Sequence, residues 1–246
     1  MRFSDYKILS FSGKTIWQIL VFSLVIFSFS CKKRELLIAD QSQDVSYFPL
    51  YTGFWAEYAV DSVVHYDIDD ISQVDTAIGR YHFFVREEID TSFLDGENEK
   101  AYVILRYRRE SDTLPWSFMN VWTAKITPYS AQRVEDNIRF VRLHFPISSS
   151  SSWEGNDFNF FMEEEYSYED LYKPLQFGSL KFDSTISVLQ NDFISHINRI
   201  FKKEIYGAHA GLLYKQIDSV NTRNTDNGTI ILNGLEYKLS ITGYKH

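Results

Sequence analysis

The stretch FWAEYAVDSVVHY, residues 54–66, decides the fold class because apolar and polar side chains alternate along it. Phe54, Tyr58 and Val60 fall on one face of an extended chain, and Glu57 falls on the other. Successive side chains of a β-strand point to opposite faces of the sheet. This period of two therefore predicts a strand with one buried face.

The same alternation recurs on the C-terminal side of this stretch. Further strands are predicted at 81–89, 103–107, 116–126, 129–135, 138–145, 180–188, 212–220 and 235–244. Turn signals separate them at 95–98, 136–137, 227–228 and 233–234, where Asp, Asn and Gly tolerate positive φ. About nine strands with short links predict an all-β fold with an antiparallel, strongly curved sheet or a partly closed barrel. A β-sandwich is the alternative.

Two stretches are less regular. The apolar residues of 193–201 fit one face of a short helix, which is the first expectation, and they also fit a strand with a bulge. The most acidic stretch, EEEYSYED at 163–170, is expected at the surface.

An apolar segment at residues 16–29 lies near the start of the chain, where every residue but Gln18, Ser23 and Ser28 is apolar. A mildly basic lead with Arg2, Lys7 and Lys14 precedes it. This order predicts a secretory signal peptide over residues 1–30. The segment is shorter than the roughly 20 apolar residues that a transmembrane helix needs.

The segment ends at Ser30-Cys31, and Cys31 is the only cysteine of the chain. This junction resembles the cleavage site of bacterial lipoprotein precursors, although Ser28 stands where that family prefers an aliphatic residue. The resemblance implies cleavage before Cys31 and attachment of acyl chains such as palmitate through its sulfur. Such chains hold a protein stably at a membrane when two or more are present.

The residues after Cys31 extend this expectation. Lys32 differs from the Asp that, by resemblance, retains lipoproteins in the inner membrane. The resemblance therefore implies an outer-membrane lipoprotein that faces the periplasm, with the cell surface as the alternative. Residues 31–46 are predicted to form a lipid-anchored tether, and 47–246 a single β-rich domain.

Composition limits the partners. The net charge is −8, with 33 acidic and 25 basic residues, whereas a nucleic-acid partner would call for a basic surface. With one cysteine, stability has to come from a hydrophobic core, which 44% hydrophobic and 17% aromatic residues can supply.

Catalytic motifs are missing from the sequence. It contains no Gly-rich phosphate loop, HExxH, paired CxxC or GxSxG, and its six histidines are scattered singly. His65 with Asp67, Asp69 and Asp70 is the best metal candidate, but it is more typical of a solvated strand end. We therefore predict no catalytic residue, no metal ligand and no cofactor.

Aromatic and basic residues are the strongest candidates for binding. Trp116, Phe118 and Trp122 lie in one predicted strand, and they are expected either to line an apolar cavity or to form the core. Arg106 and Arg108 lie on a neighbouring strand. They are expected to bind an anionic headgroup or sugar acid, or to pair with acids across strands.

Short motifs along the chain resemble a group of uncharacterised bacterial lipoproteins. They are YFPL at 47–50, GFW at 53–55, YAVDS at 58–62, WEGN at 153–156, IYG at 205–207 and GLLYK at 211–215. This group implies no activity. The expected function is non-enzymatic binding of an apolar ligand or a partner protein at the outer membrane. The alternative is a hydrolase with a site assembled from scattered residues.

Overall fold

The computed structural model describes residues 42–67, 78–226 and 228–245. One helical turn, α1, spans Ser42–Val45. The strands are β1 Trp55–His65, β2 Ile78–Leu94, β3 Lys100–Arg109, β4 Ser117–Ile126, β5 Ser130–Glu135, β6 Ile138–His144, β7 Ser152–Glu154, β8 Glu165–Phe177, β9 Leu180–Ile194, β10 Asn198–Gly207, β11 Gly211–Thr225 and β12 Gly228–Lys245. Within these ranges no helix is both long and apolar enough to cross a membrane.

All twelve strands belong to one antiparallel sheet, in the order β6-β5-β4-β3-β2-β1-β12-β11-β10-β9-β8-β7. Strands adjacent in sequence are mostly adjacent in space, and the first strand also pairs with the last. The two edge strands come together where Val141 N donates to Gly155 O at 3.0 Å and Trp153 Nε1 donates to Val141 O at 3.0 Å. The sheet is thus nearly closed into a barrel, and the prediction of an all-β, curved or partly closed sheet is confirmed.

The prediction of nine strands is too low, because β7, β8 and β10 were missed. The acidic stretch at 163–170 runs into β8, in which Tyr166 and Tyr168 are buried while Glu165 is exposed. Aromatic and acidic residues alternate here with the period of a strand. The high charge obscured that alternation.

The helix expected at 193–201 is wrong. β9 ends at Ile194 and β10 begins at Asn198, so the alternative of extended strand is nearer: the segment is the end of one strand, a three-residue turn and the start of the next. Ser195 Oγ accepts the backbone N–H groups of Ile197 and Asn198 at 3.2 and 3.1 Å, which stabilises the tight turn. The apolar residues that suggested a helical face belong to two different strands and the turn between them.

The turn expected at 233–234 is also wrong, because these residues lie inside β12. The register between β11 and β12 shifts at Asn221/Thr222, opposite this point, as in a β-bulge. Gly234 has a φ of +132°, and a Cβ at this position would lie 2.2 Å from the backbone oxygen of Ser219. The glycine thus allows the close approach of two strands within the sheet.

The barrel has two different ends, because each strand of an antiparallel meander reverses direction. The N-terminal residues 42–54 and the connections β2–β3, β4–β5, β6–β7, β8–β9 and β10–β11 lie at one end, which we name the sealed end. The remaining connections lie at the opposite end, which we name the mouth. Those whose residues the structure describes throughout are β3–β4, β5–β6, β7–β8 and β9–β10.

The N-terminal residues fill the sealed end. Phe48 and Phe54 are buried in the core, and Asp44 Oδ2 accepts the backbone N–H of Ile147 at 2.9 Å. Ser46 O accepts the backbone N–H of His209 at 2.8 Å. Within the tether predicted over 31–46, residues 42–46 therefore contact the barrel, and 31–41 lie outside the described residues.

Apolar side chains from around the barrel pack against this segment. Fully or nearly fully buried residues include Tyr58, Ile104, Leu143, Ile186 and Leu213. Each large apolar side chain that is fully buried contributes about 1.5–3 kcal/mol. This layer forms an apolar base to the barrel interior, with one small cavity of about 50 Å³ beside Phe48, Phe54 and Ile104.

Replacing Gly234 by alanine tests the bulge in β12. We expect Gly234→Ala to lower the free energy of unfolding by on the order of 3 kcal/mol, because alanine adopts this φ with strain and its Cβ meets backbone. Urea denaturation measures the loss. Gly96→Ala is the control, since a Cβ there meets nothing within 4 Å. Equal stability of the two variants would contradict the strained bulge.

Candidate functional site

Two larger, adjoining cavities lie inside the barrel beyond the apolar base. The inner cavity has a volume of about 260 Å³, and the outer cavity one of about 470 Å³. Glu135, Arg142, Lys215 and Ile217 line both cavities and therefore mark their junction. Small-molecule sites in proteins have volumes of about 300–1,000 Å³, so the combined space is of that size.

The inner cavity is walled by alternating charges rather than by apolar groups alone. We name this set the charge network: Glu87, Arg106, Arg133, Glu135, Arg142, Glu204 and Lys215. Arg106 Nε lies 2.9 Å from Glu87 Oε1, and Arg133 Nη2 lies 2.5 Å from Glu87 Oε2. Four cations and three carboxylates leave the network with one excess positive charge.

The network continues from one half of the barrel to the other. Arg142 Nη2 lies 2.6 Å from Glu135 Oε1, while Arg142 Nη1 lies 3.5 Å from Glu204 Oε1. Lys215 Nζ lies 3.1 Å from the same Glu204 oxygen. Arg142 on β6 and Glu204 on β10 are not on neighbouring strands, so this ion pair spans the barrel interior.

Strand periodicity places these charges inside. On β2, Glu87 lies two residues from both Val85 and Ile89, which are buried. On β11, Lys215 likewise lies two residues from Leu213, which is fully buried. Side chains two apart share a face of a strand, so each charged group points inward with its apolar neighbours.

Burial and the neighbouring cations act in opposite directions on the three carboxyls. Burial alone would raise their pKa values, but the arginine and lysine charges outweigh it and lower the pKa of Glu87, Glu135 and Glu204. Burial raises the pKa of Tyr237 to about 12, and it raises the pKa of Tyr206 well above its ordinary value. At neutral pH the carboxylates are therefore charged. The Tyr206 hydroxyl stays protonated and donates a hydrogen bond to Glu204 Oε2 at 2.6 Å.

Two of the predicted binding residues meet at this cavity. The Arg106 guanidinium carbon lies 3.4 Å from the centroid of the Trp122 ring, and both residues line the inner cavity. A guanidinium stacked on an indole face is favourable, particularly where water is excluded. Trp122 Nε1 also donates to Asp136 Oδ1 at 3.1 Å, which fixes the orientation of the ring.

The other three predicted binding residues do not line either cavity. Trp116 lies under the Arg109 guanidinium at 4.3 Å, and Phe118 is 61% exposed. Arg108 bonds Glu110 at 2.8 Å and lies over the Phe83 ring. Of the three aromatic candidates in the predicted strand 116–126, only Trp122 therefore lines a cavity.

A bulge explains why Phe118 and Trp122 separate. Arg106 pairs with Asn120, whereas the next residue of β3, Tyr107, pairs with Phe118. One residue of β4, Met119, is thus skipped, and the alternation of faces reverses at that point. Regular alternation would place Phe118 and Trp122, four residues apart, on one face of the strand. The bulge between them breaks that alternation.

Several cavity residues were missed by sequence reasoning. They include Arg133, Glu135, Gln190, Glu204 and Lys215. The available signal was an ionisable residue two positions from apolar residues within a strand, as for Lys215 between Leu213 and Ile217. Such a residue has to face inward if its neighbours do.

Away from these cavities, three acids surround a lysine. Asp95, Glu97 and Glu99 each bond Lys125 Nζ, with Asp95 and Glu99 at 2.8 Å. Their carboxylate oxygens lie close enough together to hold a metal ion, but the ammonium group already lies among them. The hydrogen bond from Lys125 lowers the pKa of Asp95 to about 2, so this carboxylate stays charged.

The described residues of the metal candidate, His65 and Asp67, bond to protein side chains. His65 Nε2 lies 3.0 Å from Glu236 Oε2, and Asp67 Oδ1 accepts a bond from Asn233 at 3.0 Å. Asp69 and Asp70 lie outside the described residues. Among the described residues, the lining of the two cavities includes no histidine, serine, threonine or cysteine, so it supplies no His-carboxylate-nucleophile set.

Comparisons with known proteins add little to this site. No protein-family model matches the chain, and no curated protein is significantly similar to it. A candidate exported protein with a YmcC-like fold from Bacteroides fragilis has a TM-score of 0.40 and 9% identity, covering 81% of this chain and 98% of its own. A candidate lipoprotein from Parabacteroides distasonis has a TM-score of 0.38, with the same identity and coverage. Likeness at this level carries no argument, so the site rests on its own geometry.

Replacing Glu135 by glutamine tests the charge network. We expect Glu135→Gln to lower the free energy of unfolding at pH 7 by about 3 kcal/mol, because removing one partner leaves buried cations uncompensated. Urea denaturation measures this loss. Glu110→Gln is the control, since Glu110 is exposed and its pairing with Arg108 contributes at most about 1 kcal/mol.

The effect of Glu135→Gln on the free energy of unfolding should also depend on pH. The folded-state pKa of Glu135 lies below its ordinary value of 4.5, so its stabilising effect is complete above about pH 5 and is lost as the pH falls. The difference in free energy of unfolding between the unsubstituted chain and Glu135→Gln should therefore become smaller by about 2 kcal/mol as the pH is lowered from 7 to 3. A difference that stays constant over this range would contradict the lowered pKa.

Proposed function

We propose that this chain is a lipid-anchored envelope lipoprotein whose barrel binds a small amphipathic ligand without catalysing a reaction. The observation that carries the proposal is the pair of adjoining cavities between a filled sealed end and the mouth. Their walls are held by buried ion pairs, so the space is pre-formed. Pre-formed concave sites with a few fixed polar groups are typical of small-molecule binding.

The wall chemistry supports an amphipathic ligand. Leu235, Leu239 and Ile217 line the inner cavity beside the charge network. Phe161 and Met162 border the outer cavity on the β7–β8 connection, at the mouth, and Met162 is 86% exposed. A ligand with one polar and one apolar part would find both kinds of wall.

The anchor rests on the sequence. The apolar segment before Cys31 and the small residue at Ser30 support lipidation of Cys31, and Lys32 supports the outer membrane, facing the periplasm. A binding domain on a lipid anchor would meet amphipathic molecules at the membrane that holds it. This location is part of the proposal.

Binding of a partner protein at the mouth is a second candidate function. Large apolar side chains are exposed on two connections at this end, namely Phe158, Phe160, Phe161 and Met162 on β7–β8 and Ile197 on β9–β10. Exposed apolar patches of this kind mark interaction surfaces. Phe160→Ser, which changes a side chain that is 84% exposed, would abolish cross-links to a partner but leave ligand binding intact.

The anchor is tested by replacing Cys31. We expect Cys31→Ser to abolish lipidation, so that the chain stays unprocessed or leaves the membrane fraction. Membrane fractionation and gel mobility measure both effects. Ser30→Ala is the matched control, because alanine keeps a small residue before the cysteine. Unchanged partition and mobility of Cys31→Ser would refute the lipid anchor.

The cavity is tested by native mass spectrometry of residues 36–246 produced in the periplasm. We expect a defined adduct that disappears on denaturation. Ile217→Phe, which adds volume at the junction of the two cavities, should abolish the adduct. Ile197→Phe makes the same change at a site that is 70% exposed and should retain it. A bare chain, or an adduct that survives Ile217→Phe, would contradict binding in the barrel.

A further inference from the structure

We propose that the polar end of the ligand is an anion, a carboxylate or phosphate, bound at the junction of the two cavities by Gln190, Lys215 and Arg142. This inference rests on the proposed function and specifies the chemistry of its ligand. Arg142 and Lys215 line both cavities, and Gln190 lines the outer one.

The side chain of Gln190 is the first observation. Gln190 is 3% exposed and lines the outer cavity, yet its Nε2 has no hydrogen-bond partner among the described protein atoms. A buried donor that lacks a partner costs about 1–3 kcal/mol. An acceptor in the cavity would satisfy it.

A bulge directs this side chain. In the pairing of β9 with β10, Lys202 lies opposite Asn191 and Lys203 lies opposite Leu189, so Gln190 is skipped. Its neighbour Asn191 has a protein partner, since Asn191 Nδ2 donates to Glu164 at 2.9 Å. Of these two adjacent amides, Gln190 is therefore the one whose NH2 group has no partner among the described residues.

The balance of donors and charge is the second observation. Arginine and lysine side chains carry only donors, and the charge network has four of them against three carboxylates. Arg142 directs Nε and Nη2 at Glu135, while its Nη1 is 3.5 Å from Glu204. An anion at the junction would neutralise the excess charge of the network and accept the remaining N–H groups. The outer cavity adds Lys202, which pairs with Glu164 at 2.7 Å, and the exposed Glu163, so the positive excess is confined to the charge network.

Part of the outer cavity's wall suits an apolar chain, beside polar groups such as Glu164 and Lys202. Phe140, Ile200 and Ile217 line it, and it reaches Phe161 and Met162 at the mouth. An anionic head at the junction would leave an attached apolar chain along this wall. The ligand class is therefore a small anionic amphiphile.

Calorimetry on the full chain in a nonionic detergent tests this class. The probes are hexyl phosphate, hexanol and hexyltrimethylammonium, which share a six-carbon chain and differ in charge. We expect hexyl phosphate to bind at least about tenfold tighter than hexanol, and the ammonium probe to bind weakest. Equal binding of hexanol and hexyl phosphate, or preference for the ammonium, overturns the anion site alone. Binding of none of the probes overturns the proposed function as well.

Two further probes distinguish the source of the anion. If hexanoate binds as tightly as hexyl phosphate, the result supports a carboxylate head group. If hexanoate binds much more weakly, it supports a phosphate head group. Inorganic phosphate should bind at least about tenfold more weakly than hexyl phosphate. Equal affinity for inorganic phosphate would overturn the amphiphile and leave a site for a free anion.

A matched pair of variants locates the site. Gln190→Met removes the free amide with little change in volume, and we expect it to weaken hexyl phosphate binding about tenfold while hexanol binding is unchanged. Gln132→Met is the control, because Gln132 is also buried but does not line either of the two cavities. Thermal unfolding checks that both variants fold. Unchanged hexyl phosphate affinity in Gln190→Met would overturn the assignment of Gln190.

Discussion

The barrel interior depends on a chain of buried ion pairs that runs from β3 through β2, β5 and β6 to β10 and β11. A buried charge is tolerated only when it is paired, so every member of this network constrains its neighbours. Arg142 bonds Glu135 beside it and reaches Glu204 on the far side of the barrel. The two halves of the sheet are thereby held at a fixed separation, which leaves space beside the charges.

The polarity of the interior follows from where the chain begins. Residues 42–54 fill the sealed end with Phe48 and Phe54, so apolar packing supplies stability there. The charge network lies above this apolar base, and the outer cavity continues towards the exposed Phe161 and Met162. One barrel thus combines an apolar, closely packed end with a charged interior that contains the two larger cavities.

Alternation of side chains was sufficient to predict the fold class. Residues 54–66 predict β1 almost to the residue, and the turns at 95–98 and 136–137 are correct. Bulges limited the rest, because each one reverses the alternation of faces without a clear sequence signal. Met119 separated Phe118 from Trp122, and Gly234 appeared as a turn inside β12. Apart from Arg106, the charge network was missed because alternation alone does not show which charged residues face inward, although Glu204 and Lys215 share faces with buried residues.

A double-mutant cycle across the barrel tests the central claim most directly. Arg142→Met, Glu204→Gln and the double variant would be unfolded in urea beside the unsubstituted chain. If the ion pair spans the interior as described, the two changes are coupled by about 2 kcal/mol, since the second substitution removes little once the first partner is gone. Additivity within about 0.5 kcal/mol would show that these residues do not interact, and would contradict a barrel held by its buried charges.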